Sequence, residues 1–145
     1  DYFMEDIVPF WDVYYHIVWG TYNRQNLITP KLESALFGLI NHKTQELRCP
    51  IHAMNTMPDH IHIVVSIRPS IAVAKWVKGV SFTSYQVNQL DVADEYFSWQ
   101  TSYGVLTYGK KVVPKIIAYV KNQKQHHAND DVYIYLERTD SSDDD

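Results

Sequence analysis

Two histidines separated by one apolar residue, His60-Ile61-His62, are the side chains here whose types and spacing most directly suggest chemistry. They open the run from His60 to Ile67, in which alternation on a β-strand puts His60, His62, Val64 and Ser66 on one face and Ile61, Ile63, Val65 and Ile67 on the other. The apolar face is the one expected to meet the core. Same-face neighbours on a strand lie about 6.5–7 Å apart at the backbone, so two imidazoles can converge on one ion. A pair of neutral nitrogen ligands without a thiolate leaves positions for water, carboxylate or phosphate oxygen, which suits a catalytic cation better than a structural one. Two surface histidines share this spacing, and spacing does not separate the readings.

A second group lies further along. Tyr119 and Gln123 are four residues apart and project from one helical face. The apolar stripe Val113, Ile116, Ile117 and Val120 has its centre about 110° from Tyr119, so the phenol is expected at the boundary of the buried face. Covering a core edge is the ordinary use of such a tyrosine. From Tyr96 to Asn129 there is no acidic residue, and basic groups alternate with Tyr and Trp, a composition suited to a phosphate backbone with unstacked bases. Lys75, Lys78, Lys110 and Lys111 are candidate phosphate contacts, with a solvated basic face as the alternative. Trp99 and Tyr103 suit either stacking on extruded bases or packing against the sheet. His16, Asp59, and the pair His126 and His127 read more simply as a sheet histidine, a turn residue and a fraying helix end.

These groups must be positioned by a scaffold, and the pattern supplies one. Val13 to Thr21 reads as a strand rich in β-branched and aromatic residues. Thr29 and Pro30 form a cap and first-turn pair, and the periodic Leu32, Ala35, Leu36, Leu39 and Ile40 predict a helix from Pro30 to about Leu47. Ile51 to Thr56 and His60 to Ile67 form a hairpin around Met57, Pro58 and Asp59. One helix opening at Pro69 and Ser70 carries Val73, Trp76, Val77, Val80, Ser84 and Val87 as a single buried stripe. A short strand at Tyr103 to Tyr108, a helix from Pro114 to about His127, and a last ordered piece at Val132 to Leu136 complete the chain. The expected fold is α+β: a ferredoxin-like (split βαβ) antiparallel sheet covered by helices, with a C-terminal helix bearing Tyr119.

The 145 residues fit one domain, expected over residues 1–139, with residues 140–145 as an acidic disordered tail. Asp1 in first position reads as a chain whose start has been removed. No apolar run approaches the roughly 20 residues that cross a bilayer, so no membrane partner is expected. The one cysteine and the lack of a signal-peptide pattern point to a cytoplasmic location. A net charge of −4 argues against a nucleic-acid partner until its distribution is seen. Residues 60–129 carry 8 basic and 3 acidic groups, whereas residues 130–145 carry 1 and 7.

The segment Met57-Pro58-Asp59-His60-Ile61-His62-Ile63-Val64-Val65 closely resembles the signature of the single-tyrosine HUH transposases, the small insertion-sequence and REP-associated tyrosine transposases. The resemblance covers most of residues 13–125. Tyr15 to Trp19 is similar to the family's first strand, and Leu27-Ile28-Thr29-Pro30 to the entrance of its first helix. Ser98-Trp99 with Tyr103 to Gly109 is similar to its aromatic strand, and Tyr119-Val120-Lys121-Asn122-Gln123 to its catalytic segment. Two departures stand out: the chain is acidic overall where members tend to be basic, and Asn55 stands where many carry an acid.

The resemblance implies that Tyr119 is a nucleophile that attacks single-stranded DNA, giving a 5′-phosphotyrosine link and a free 3′-hydroxyl that later reverses the reaction. It further implies that His60, His62 and Gln123 hold Mg²⁺ or Mn²⁺, that DNA hairpins are recognised, and that the protein is a homodimer in which Tyr119 completes its own or its partner's site. Two rival readings remain at this stage. One is a catalytically retired or host-adopted relative that binds structured single-stranded DNA, against which the intact set His60, His62, Tyr119 and Gln123 speaks. The other is a generic ferredoxin-like metal or RNA binder, which would show no preference for DNA hairpins.

Overall fold

The computed structural model describes residues 9–140, so residues 141–145 of the expected tail lie outside the described residues. Strand β1 (Tyr15–Gly20) is followed by a 3-10 turn at Tyr22–Arg24 and helix α1 (Pro30–Glu46). Strands β2 (Ile51–Met57) and β3 (His60–Val65) form the expected hairpin. Helices α2 (Val73–Ser81) and α3 (Thr83–Gln89) precede β4 (Gly104–Thr107), and α4 (Val113–Lys121), α5 (Gln123–Ala128) and α6 (Ile134–Glu137) follow it. The sheet order is β2-β3-β1-β4, with every pairing antiparallel. The α+β architecture expected from the sequence is present. No helix among the described residues is long and apolar enough to cross a membrane.

Local rules account for much of this. Thr29 accepts a hydrogen bond from the Leu32 amide, and Pro30 occupies the first turn, so α1 starts where its cap predicts. Its stripe of Leu32, Leu36 and Ile40 is fully buried against Ile17, Ile61, Ile63 and Val65 of the sheet and Trp76 and Val80 of α2. Each such side chain contributes about 1.5–3 kcal/mol of transfer free energy.

The single helix expected from Ser70 to Val87 is instead two, α2 and α3, meeting at Phe82. The hydroxyls of Ser81, Thr83 and Ser84 each hydrogen-bond the carbonyl three residues back, at 2.6, 2.6 and 2.8 Å. Three competing side-chain bonds in four residues divert the helical ladder, which periodicity of apolar residues does not register. The helix expected from Pro114 to His127 is likewise split, at Asn122 (φ −100°, ψ 20°). Asn55 on β2 explains the break: its Nδ2 donates to the carbonyls of Val120 and Lys121, both at 3.1 Å. In an unbroken helix those carbonyls would accept from residues 124 and 125.

The largest difference concerns the second face of the sheet. The sequence suggests one core face, yet all six residues of β3 are buried. Helices α1, α2 and α3 cover the face of Ile17, Ile61 and Ile63. A second cluster of Ala53, Val64, Ile116, Tyr119, Val120 and Leu136 covers the histidine face. Tyr119, expected at a boundary, is only 4% exposed. Leu136 of α6 packs in the same cluster and closes over the phenol, a layer that the helical angles of α4 alone do not contain.

Candidate active site

Cross-strand register gathers the polar residues of the second face. His16 pairs with Val64, Val18 with His62, and Gly20 with His60, so His16, His60 and His62 share that face. All three are essentially inaccessible, with exposures of 0, 2 and 0%. Buried imidazoles need partners. His60 Nδ1 lies 2.6 Å from Asp59 Oδ1, and Arg24 holds that carboxylate from the other side at 3.2 Å. His62 Nδ1 lies 2.8 Å from His16 Nε2. These contacts leave the Nε2 atoms of both imidazoles facing a common point, and a tautomer with the proton on Nδ1 would present both lone pairs there, the arrangement used by histidines that bind metal.

That point is shared with Glu137, the last residue of α6. His62 Nε2 is 2.7 Å from Glu137 Oε2. His60 Nε2 is 3.3 Å from the same oxygen but is buried without a hydrogen bond. The three ligand atoms lie within 4.8 Å of one another, close enough to hold one metal ion. The other carboxylate oxygen, Oε1, accepts a 2.5 Å hydrogen bond from the Tyr119 hydroxyl, which in turn accepts the Tyr133 amide at 3.1 Å. Glu137 therefore touches the phenol with one oxygen and the imidazole pair with the other.

The electrostatics follow from this packing. Burial works against charge on His60, but the carboxylates of Asp59 and Glu137 beside it prevail and raise its pKa. Burial lowers His62 despite Glu137, and burial with the neighbouring His62 lowers His16 to about 3. His16 is thus neutral at ordinary pH. Burial would raise Glu137, yet the His60 and His62 imidazoles and the Tyr119 hydroxyl beside it hold it well below the usual carboxylate range. Burial and the hydrogen bond to Glu137 push the Tyr119 phenol up to about 12, opposed by Gln123 and the Tyr133 amide.

Gln123 is fully buried at the start of α5, with Oε1 3.0 Å from His127 Nε2 and its amide nitrogen buried without a partner. His127, expected at a fraying end, thereby joins the site, 3.5 Å from Glu137 Oε1. The structure brings together His60, His62, Tyr119 and Gln123, and it does not bring the four lysines to them. Lys75 and Lys78 are exposed on α2, in the helical layer across the sheet. Lys110 and Lys111 are exposed in the β4–α4 connection, with Lys110 3.9 Å from Asp12. Trp99 stacks on Trp19 at 4.8 Å and is 8% exposed, which favours packing over base stacking.

Sequence reasoning misses Glu137 and the supporting roles of His16 and Asp59. An acid at the end of the Val132 to Leu136 run, among the acidic groups of residues 130–145, gives no spacing that ties it to His60. Asp59 is adjacent to His60 in sequence, and that adjacency is its signal. His16 carries a weaker one: a histidine inside an apolar strand needs a buried partner.

Comparison with known proteins bears on what this arrangement is for. A family model described as "Transposase IS200 like" matches residues 9–123. The ISDra2 transposase TnpA of Deinococcus radiodurans is 24% identical over 115 residues, covering 75% of this chain and 82% of that protein. A crystal structure from Deinococcus radiodurans R1 of a protein designated a transposase superposes with a TM-score of 0.64 at 19% identity, covering 81% of this chain and 96% of the other. A REP-associated tyrosine transposase bound to a REP hairpin gives a TM-score of 0.63 at 12% identity, covering 84% and 73%. At such identities the two structures speak for the fold, while the family model spans the first strand, the histidine pair, Tyr119 and Gln123. Glu137 lies beyond the matched residues. The chain belongs to the family of IS200-like transposases.

Proposed function

We propose that this chain is a metal-dependent single-stranded DNA transposase that cleaves and rejoins DNA through a 5′-phosphotyrosine intermediate, with Tyr119 as nucleophile. The observation that carries the reading is the meeting of phenol and imidazole pair on one carboxylate within a single chain. Tyr119 Oη and His62 Nε2 lie 2.5 and 2.7 Å from the two oxygens of Glu137. Groups that reach the two oxygens of a carboxylate can reach two oxygens of one phosphate.

His60 and His62 would hold Mg²⁺ or Mn²⁺, and the buried His60 Nε2 without a hydrogen bond fits that role. Gln123 fits as a third ligand. Its unpartnered amide nitrogen and its Oε1 exchange places on rotation of the terminal amide, which lets the nitrogen face His127 and the oxygen face the ion. When bound, the cation polarises the scissile phosphate and stabilises charge that develops in the transition state. Tyr119 Oη forms a bond to phosphorus as the bond from phosphorus to the 3′ oxygen breaks. The phenol proton is balanced by the proton the departing 3′-hydroxyl gains. One phosphodiester replaces another, so rejoining requires no nucleotide cofactor.

DNA hairpins are the proposed recognition element and a homodimer the proposed assembly, in line with the resemblance and with the hairpin bound by one structural neighbour. Lys110 and Lys111, on the connection that enters the tyrosine helix, are the better placed of the four lysines to meet DNA at this site. The test is cleavage of a hairpin-bearing oligonucleotide with Mg²⁺ or Mn²⁺. The parent is expected to yield cut DNA and a covalent adduct, and Tyr119→Phe neither. An adduct that survives this substitution would contradict the assignment.

A further inference from the structure

We infer that Glu137 is an exchangeable ligand: in the DNA-free protein its carboxylate completes a two-histidine, one-carboxylate cation site, and the scissile phosphate displaces it together with α6. This inference rests on the proposed cation site at His60 and His62. Three observations lead to it. First, Glu137 touches both imidazoles and the phenol, at 2.7 and 3.3 Å for His62 and His60 and 2.5 Å for Tyr119. A phosphate undergoing attack by Tyr119 beside that cation must occupy the same place, so the two anions exclude each other.

Second, the fold makes room for this segment. Gly104 pairs with Val18 on the histidine face, and a Cβ built there would collide with the Arg138 carbonyl oxygen. The residues just after Glu137 cross β4 at a point only glycine leaves open. Third, the segment is lightly held. Of the four residues in α6 only Leu136 is buried, while Ile134 and Tyr135 are 79 and 64% exposed, as is Tyr133 before them at 58%. A carboxylate aimed into the site from a weakly packed helix can bind a cation and still leave. A 2-His-1-carboxylate set with open positions is a recognised environment for divalent ions, and the carboxylate favours Mn²⁺ over softer metals.

The experiment measures Mn²⁺ binding to the DNA-free full chain for the parent, Glu137→Gln, Gly104→Ala and His62→Ala. Glu137→Gln keeps size and removes the charged ligand, so affinity is expected to fall about tenfold or more. Gly104→Ala leaves every ligand in place but pushes the Arg138 backbone off β4, and a fall in the same direction is expected. The exchange is read in a Tyr119→Phe background, where adding a hairpin-bearing oligonucleotide should bring Glu137→Gln and its control to the same Mn²⁺ affinity. If Glu137→Gln binds Mn²⁺ as the parent does while His62→Ala does not, Glu137 is no ligand and the histidine site stands. If His62→Ala binds as tightly as the parent, the underlying cation site is wrong. A gap between the two Tyr119→Phe proteins that DNA leaves unchanged overturns the exchange.

Discussion

Asn55→Asp is a one-atom change whose effect the structure allows to be worked out. The Asn55 amide donates to the carbonyls of Val120 and Lys121 at the end of α4, while its Oδ1 accepts from Lys124 Nζ at 2.7 Å and from the Thr56 amide at 2.9 Å. Aspartate keeps the second pair and loses the first. Two net hydrogen bonds of about 0.5–1.5 kcal/mol each disappear. A carboxylate then faces the negative end of a helix, costing about 0.3–1 kcal/mol more. A stronger interaction with Lys124 and partial access to water at this half-buried position return some of this. The expected net destabilisation is about 1–2 kcal/mol, or a drop of about 3–8 °C in Tm for a chain of this size. Because Asn55 holds the break between Tyr119 and Gln123, the variant should also lose cleavage activity beyond what its stability explains, measured well below its Tm. A Tm equal to or above the parent's would refute the role assigned to Asn55.

Three further outcomes follow from the site. His16→Phe keeps a ring in place and removes the nitrogen that hydrogen-bonds His62 Nδ1; Mn²⁺ affinity should fall about 10–100-fold, and an unchanged isotherm would remove His16 from the site. In metal-free protein, the folded Tyr119 phenol stays neutral to about pH 12 while the unfolded one ionises near 10. Its contribution to stability is complete below pH 10 and disappears between 10 and 12, so the stability difference between parent and Tyr119→Phe should shift against the parent across that window. Urea unfolding at a series of pH values measures it, and a flat difference speaks against burial as the cause. Replacing Lys110 and Lys111 by Ala should weaken oligonucleotide binding without regard to sequence. It should also flatten the salt dependence, by a slope of about 0.7 for each single-strand phosphate that the protein no longer neutralises. Binding curves at several salt concentrations decide this, and an unaltered slope would return both lysines to the solvated surface.

The sheet, the caps and the histidine pair were legible because each depends on neighbours in sequence. Thr29-Pro30 announces α1, alternation orients His60 and His62, and Met57 to Asp59 makes the turn between two strands. The two helix breaks were not legible, since Asn55 acts on α4 across about 65 residues and the hydroxyls of Ser81, Thr83 and Ser84 act through geometry that apolar periodicity ignores. Tyr119 and Gln123 came from resemblance rather than pattern. Glu137 came from neither. Its place depends on α6 folding back over the sheet, a long-range event that Gly104 permits and Leu136 anchors.

The central claim is that one phenol and one imidazole pair act on the same phosphate, and mapping of the covalent product tests it most directly. Trypsin releases Ile116 to Lys121, a peptide with Tyr119 as its only tyrosine. After incubation with Mn²⁺ and a hairpin-bearing oligonucleotide, mass spectrometry should find phosphate-linked DNA on that peptide in the parent and none after His60→Ala with His62→Ala. DNA attached to any other peptide, or to this one at full yield without the histidines, would contradict the account.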